Sequence, residues 1–200
     1  MMILRSSPPS PFGRKIKIAA ALTGLKDKIE MVRADTTDPS DVLRRQNPLG
    51  KIPVLILEDG TALYDSRVIL EYLDWLAGGN VLIPSDPKER FVTLTQAACC
   101  DGILDAALLQ VYEERFRPAE RREPKWKDYQ GDKISRALAL FEASPPKGKR
   151  DIAHIGLACA LGYLDLRFNG LWRETYKNLV EWLAAFEAEV PAFAATRFVP

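Results

Sequence analysis

Hydrophobic periodicity changes character once along this chain, near residue 80. Before that point short apolar runs alternate with short helical patterns. Beyond Lys88 every periodic stretch has helical spacing. Such an order predicts a small mixed sheet covered by helices, followed by an all-helical part. The expected boundaries are 1–78, a linker at 79–87 that carries Pro84 and Pro87, and 88–200. Two hundred residues suffice for two small domains, and 47% hydrophobic with 28% charged residues suits a folded globular chain. Lys and Arg number 28 against 27 Asp and Glu, so no basic excess favours nucleic acid or an acidic membrane surface. No uninterrupted apolar run approaches the ~20 residues of a membrane span, and the N-terminus lacks the apolar core of a signal peptide.

Residues 2–5 read as a first strand. Ser10-Pro11-Phe12 opens a helix, because Ser is a good N-cap and Pro is favoured at the first helical position. Phe12, Ile16, Ala19 and Ala20 then recur at helical spacing, and Gly24 is a natural stop. Ile29 to Arg33 reads as a second strand. Asp38-Pro39 opens a short helix to about Arg45, and Asn47-Pro48-Leu49-Gly50 is a turn. Val54 to Leu57 follows Pro53 as a strand. Glu58-Asp59-Gly60 turns the chain, and Thr61 to Tyr64 returns as its partner. A helix from Asp65-Ser66 places Val68, Ile69, Tyr72, Leu73 and Leu76 on one side and ends at Gly78-Gly79. The later helices are expected over 89–116, 129–143, 151–168 and 177–189, with an exposed break at 117–127. The third is apolar on nearly all sides at its start, which predicts a buried helix.

Cys99, Cys100 and Cys159 have no framework spacing, and the first two are adjacent. All three read as reduced thiols, consistent with a cytoplasmic protein. One histidine, His154, is too few for a His-ligated metal site and argues against a Ser-His-Asp triad.

Three places can carry chemistry. Ser10 and Ser66 each start a helix after a strand, where free N–H groups and a partial positive charge suit an anion. A hydroxyl there can also stabilise a thiolate. Lowering a thiol from a pKa of ~8.5 by two units takes about 2.7 kcal/mol. One charged hydrogen bond contributes ~1.5–3 kcal/mol and a helix dipole ~0.3–1 kcal/mol. The plainer role for Ser10 is an N-cap alone. Lys51-Ile52-Pro53 is the second place. If the bond before Pro53 is cis, the Ile52 backbone faces outward and can pair with a peptide-like ligand as an added strand; otherwise Pro53 is a turn proline. The third is Asp65-Ser66, a carboxylate beside helix N–H groups. It can hold both ends of an amino acid, or serve as an ordinary cap.

Taken together these stretches resemble a glutathione S-transferase across essentially the whole chain. The most specific piece is Asn47-Pro-Leu-Gly-Lys-Ile-Pro-Val-Leu, followed by Leu63-Tyr-Asp-Ser-Arg-Val-Ile-Leu-Glu-Tyr-Leu. Ser10-Pro-Phe-Gly-Arg-Lys resembles the serine-type active-site helix of the plant tau class and several bacterial members. Cys100-Asp-Gly-Ile-Leu-Asp-Ala-Ala and Ala158-Cys-Ala-Leu-Gly-Tyr-Leu-Asp resemble a bacterial, YibF-type subgroup. The resemblance implies an α/β thioredoxin-like N-terminal domain and an all-α C-terminal bundle. It implies Ser10 as the catalytic serine on the glutathione thiolate, with Ser6 and Ser7 as rivals. Ile52 would pair with the cysteinyl part, Pro53 would be the cis-proline, and Asp65 and Ser66 would hold the γ-glutamyl group. Lys51 would lie near the glycyl carboxylate. His154, three residues after Asp151, stands where relatives carry an acidic residue in the helix cap.

The implied function is transfer of glutathione to an electrophilic hydrophobic cosubstrate, without a metal, and with a possible peroxidase side activity. No cysteine precedes Cys99, so thiol–disulfide exchange through the active-site helix is excluded. The pocket candidates are Pro8, Phe12, Leu104, Leu108, Tyr112 and Tyr163, with Arg115 and Arg167 facing a negative group. A homodimer is expected, with Tyr64, Phe91 and Val92 as apolar surface candidates, and no nucleic-acid or membrane partner. The alternatives are a non-catalytic interaction module, or a glutathione-dependent isomerase, lyase or dehalogenase.

Overall fold

The computed structural model describes residues 1–199. They form two compact units: Met1–Phe91 together with the C-terminal segment from Val190, and Val92–Glu189. The division falls inside a helix rather than in the 79–87 segment, and the tail expected with the helical domain belongs to the first unit. Asp74 explains why 79–87 is no free linker. Its Oδ1 accepts the N–H groups of Val81, Leu82 and Ile83 at 2.9, 2.5 and 3.2 Å. Leu82 and Ile83 are buried by that anchorage.

The first unit runs β1 (Met2–Ser6), α1 (Pro11–Leu22), β2 (Ile29–Arg33), α2 (Leu43–Gln46), β3 (Val54–Ile56), β4 (Ala62–Leu63) and α3 (Ser66–Leu76). The strand order is β2-β1-β3-β4, with β1 and β2 parallel and the other neighbours antiparallel. This is the expected order of elements. Leu4, Val54 and Leu55 from the sheet are buried, as are Ile16, Ala19 and Ala20 of α1 and Ile69 and Leu73 of α3. Each such Leu or Ile contributes roughly 1.5–3 kcal/mol of burial.

Two details depart from the sequence reading. The helix expected from Asp38 begins only at Leu43. Asp38 Oδ1 instead takes the Ser40 N–H and hydroxyl, and Asp41 takes the N–H groups of Asp35 and Leu43, so local side-chain bonds replace helical ones. In α3 the buried face is Ser66, Ile69, Leu70, Leu73 and Asp74, whereas Val68 and Leu76 are exposed. The stripe is offset by the polar Ser66 and Asp74, and the bonds of Asp74 to the backbone of 81–83 make its burial tolerable.

The second unit contains most of α4 (Pro87–Phe116), then α5 (Pro124–Ala143), α6 (Ile152–Phe168), α7 (Trp172–Thr175) and α8 (Lys177–Glu189). A last helix, α9 (Pro191–Ala195), lies in the tail. Helices α7 and α9, both under two turns long, lie outside the helices expected from the sequence, and α5 begins five residues before its expected start at Tyr129. Glu123 caps this helix by accepting the Lys125 N–H, and Pro124 occupies the first turn, where a missing N–H costs nothing. By length and composition α4 could cross a membrane. Its buried face nevertheless carries Thr93, Asp101 and Glu113, while Phe91, Leu109 and Phe116 are exposed.

Helix α6 is buried almost throughout its first three turns, as its composition predicts. It crosses α4 closely at Gly156, where a Cβ would come within 3.0 Å of Cys100 Cβ. Its cap is built from Asp151, whose Oδ1 accepts the Ala153 and His154 N–H groups at 2.9 and 3.1 Å. Thr93 Oγ1 donates to Asp151 Oδ2 at 3.0 Å, and His154 Nδ1 lies 2.7 Å from Oδ1.

Candidate active site

Sheet register decides where the three candidate segments meet. Arg5, near the end of β1, pairs with Val54 at the start of antiparallel β3. Leu55 in turn pairs with Leu63 at the end of β4. The loop after β1 that leads to Ser10, the Ile52–Pro53 dipeptide before β3, and Asp65-Ser66 after β4 therefore all leave the sheet at one edge. Two helix N-termini, those of α1 and α3, open at that edge.

Ser10 is the N-cap of α1, with Pro11 at the first helical position. Its Oγ accepts the Gly13 N–H at 3.1 Å, and its own N–H donates to the Ser7 carbonyl at 3.1 Å. The hydroxyl is half-buried and its proton is free to point outward. Gly13 is required here. A Cβ on it would lie 1.9 Å from Ser6 Oγ and 3.1 Å from Ser6 Cβ, so the first turn of α1 rests directly on the end of β1. Ser6 is buried beneath that turn, and Ser7 is half-buried.

Pro53 is buried and the Ile52–Pro53 peptide is cis, as is Tyr64–Asp65. The Ile52 main chain stands outside the ladder, whose last antiparallel pair is Arg5–Val54. Its side chain packs with Tyr64 on a small core of Ala34, Leu43 and Val54. Lys51 is exposed. Asn47, which the sequence marks only as the start of a turn, shapes this loop through its side chain. It is buried, its Nδ2 donates to the Lys51 carbonyl at 2.9 Å, and its Oδ1 accepts the Leu49 N–H at 3.0 Å. An Asn at the start of a Pro-Leu-Gly turn suits both bonds, because its short amide side chain reaches backbone groups two and four residues on.

Asp65 is the N-cap of α3, and its Oδ1 accepts the Arg67 N–H at 2.9 Å. Its side chain is 60% exposed, so the carboxylate can meet a ligand while it caps the helix. Ser66 is buried at the first helical position.

The remaining candidates divide between the units. Pro8 is exposed and Phe12 half-buried in the first. In the second, Leu108 and Tyr112 are half-buried, Tyr163 is buried, and Leu104 has no exposed surface, so Leu104 is a core side chain. Burial pushes the Tyr163 hydroxyl above its ordinary pKa, against the pull of Arg167 and Arg115. All three cysteines are free thiols, and burial pushes Cys99 up, away from the thiolate form. Among the described residues no three His, Cys, Asp or Glu side chains gather as a metal site would need.

Comparisons with known proteins agree with this geometry. Residues 9–76 match the family model for the glutathione S-transferase N-terminal domain. The uncharacterized GST-like protein YibF of Escherichia coli K12 is 35% identical over 171 residues, 83% of each chain. A glutathione transferase family member from Pseudomonas fluorescens Pf-5, solved with bound glutathione, is 40% identical over 100% of both chains, with a TM-score of 0.91. A second structure of that Pseudomonas family member holds S-(propanoic acid)-glutathione. A glutathione S-transferase from Methylobacillus flagellatus KT, solved with glutathione bound, is 36% identical over 100% of both chains, with a TM-score of 0.93. Relatedness of this extent, across both the sheet-containing and the helical parts, means that the chain belongs to the glutathione S-transferase family.

Proposed function

We propose that this protein is a glutathione transferase in which Ser10 holds the thiolate of reduced glutathione. One observation carries the reading: sheet register brings Ser10, the Ile52–Pro53 edge and Asp65-Ser66 to the same end of the first unit. The tripeptide has features that suit each. The Ile52 main chain, outside the ladder, pairs with the cysteinyl backbone as an added strand. The N-terminus of α3 takes the γ-glutamyl carboxylate, and Asp65 takes its ammonium. Lys51 reaches the glycyl carboxylate. The thiol proton leaves to bulk water, and the Ser10 hydroxyl donates to the sulfur that remains. The thiolate then bonds to an electrophilic carbon of an apolar cosubstrate. Either a leaving group departs with its bonding pair, or an alkene π pair moves to the neighbouring carbon and takes a proton from water.

For the cosubstrate, Pro8 and Phe12 are the candidates in the first unit and Leu108, Tyr112 and Tyr163 those in the second, while Leu104, without exposed surface, is core. Peroxide reduction is a side reaction open to the same thiolate, and detoxification is the corresponding role. Exposed Phe91 and Val92, 67% and 56% accessible, support a homodimer, with Tyr64 half-buried beside the Ile52 core. Three free thiols support a reducing, cytoplasmic compartment.

The test follows thiolate absorbance of protein-bound glutathione against pH. The bound thiol is expected to ionise about two units below its free value of ~8.5. Ser10→Ala should return it toward that value and cut turnover on an aryl halide about 100-fold. Loss of the cap costs about 1 kcal/mol, so the variant should remain folded. Saturable binding without any thiolate signal would instead favour a non-catalytic module.

A further inference from the structure

Ser6 carries a buried hydroxyl that the mechanism does not use. Its Oγ reaches the Ser7 carbonyl at 3.5 Å, a weak bond at that length. Its closest approach is to the backbone of Gly13. A Cβ at residue 13 would stand 1.9 Å from Ser6 Oγ, 3.1 Å from Ser6 Cβ and 3.5 Å from Ser10 Oγ. The Ser6 hydroxyl therefore fills the space that a side chain at 13 would take, and Ser10 Oγ borders the same space.

Both sides of that space are held from behind. Ser6 is the last residue of β1, where it pairs with Arg33 of β2, and its carbonyl accepts the Ala34 N–H at 2.9 Å. On the helix side Arg14 is anchored to the tail, through the Phe193 carbonyl at 2.5 Å and Thr196 Oγ1 at 3.3 Å. The part of α1 left to move is its first turn. That turn carries Ser10, which is tied to it twice. The Gly13 N–H donates to Ser10 Oγ at 3.1 Å, and the Arg14 N–H donates to the Ser10 carbonyl at 3.0 Å. The bond from Gly13 occupies one lone pair of the Ser10 hydroxyl and so sets which way its proton can point.

We propose that Gly13 and Ser6 are the positioning pair for Ser10. The close fit of the glycine backbone on the Ser6 side chain sets the height of the first turn of α1, and with it the direction in which the Ser10 hydroxyl donates to the thiolate. Both residues act through Ser10. The proposal rests on the transferase reading above, and it separates two serines: Ser6 is the spacer beneath the turn, and Ser10 is the donor.

The test is an exchange of size across the contact, made in the intact protein. Gly13→Ala adds a methyl against Ser6. Turning the Ser6 hydroxyl aside relieves the 1.9 Å contact but not the 3.1 Å contact to Cβ, so the turn must lift. Bound glutathione should then ionise about one pH unit higher than in the wild type. Turnover on an aryl halide, measured below the wild-type ionisation, should show kcat lowered about tenfold. KM for glutathione should change less than about twofold, because the Ile52 edge and Asp65 are untouched. Ser6→Gly removes both contacts, so the Ser6→Gly/Gly13→Ala variant should return ionisation and kcat to within about twofold of the wild type. Ser6→Ala/Gly13→Ala keeps the 3.1 Å contact and should fall between the two. If Gly13→Ala loses its helical circular dichroism, this partial variant carries the comparison in its place. An unshifted ionisation in the folded misfit variant overturns the proposal. So does a Ser6→Gly/Gly13→Ala variant that recovers nothing, or a loss of kcat with an unmoved pH profile. If glutathione on the wild type ionises as it does free in solution, the transferase reading falls and this inference falls with it.

Discussion

Asp65 serves two demands that a single substitution can separate. Its carboxylate caps α3 through the Arg67 N–H, and its 60% exposure leaves it open to a ligand ammonium. Asn caps a helix about as well as Asp but carries no charge. Asp65→Asn should therefore shift the unfolding free energy by less than about 0.5 kcal/mol. A lost charged hydrogen bond is worth roughly 1.5–3 kcal/mol, so KM for glutathione should rise at least about tenfold while kcat changes little. Steady-state kinetics beside a thermal melt checks both halves. An unchanged KM would make Asp65 a cap and nothing more. Ser10 and Asp65 were legible in the sequence because cap chemistry is local: a Ser before Pro, or an Asp before Ser, states its job within three residues. Asn47 was not legible as a shaping residue, since its partners Leu49 and Lys51 become apparent only once the turn between them is closed.

Elements were legible where their ends carried a strong local signal and their length exceeded two turns. Helices α1, α3 and α6 start at the Ser or Asp caps named from the sequence. Helix α2 starts late because Asp38 and Asp41 turn their carboxylates onto nearby backbone N–H groups, a competition that composition does not resolve. The start of α6 offers a test of how a cap couples to pH. Burial pushes the Asp151 carboxyl up, but the His154 ring, the His154 N–H and the Thr93 hydroxyl outweigh it and leave its pKa below the ordinary 3.8. A carboxyl lowered on folding contributes stability that is fully present above its unfolded pKa. That contribution is lost as pH falls through the lower, folded value. The wild type should thus lose stability more steeply than Asp151→Asn as pH drops below about 4. Chemical denaturation at stepped acid pH measures the two slopes, and parallel slopes would show that Asp151 is not the coupled group.

The least legible feature of the molecule is that its first unit is discontinuous. No local pattern says that a chain leaving for nearly a hundred residues must return, so 1–78 looks like a finished domain. The tail from Val190 nevertheless belongs to that unit, and its hold is centred on α1. Arg14, buried on α1, donates from Nη2 to the Phe193 carbonyl at 2.5 Å and from Nε to Thr196 Oγ1 at 3.3 Å. Its guanidinium lies 3.9 Å from the Phe193 ring centroid, and Phe193 is itself buried. Arg14 follows Gly13, the residue whose N–H donates to the Ser10 hydroxyl. The tail therefore braces the same helix whose first turn carries the proposed catalytic serine. Removing the Phe193 ring leaves a cavity and takes the apolar cover from a buried guanidinium. Phe193→Ala should cost about 3–5 kcal/mol, read as a lower denaturant midpoint. Because the contact is confined to the first unit, amide exchange should accelerate in α1, at Ile16 to Ala20, and stay near its wild-type rate in the buried first half of α6. Equal acceleration in both helices would mean that the two units unfold as one cooperative block, and that the tail stabilises the whole chain rather than the helix that bears Ser10.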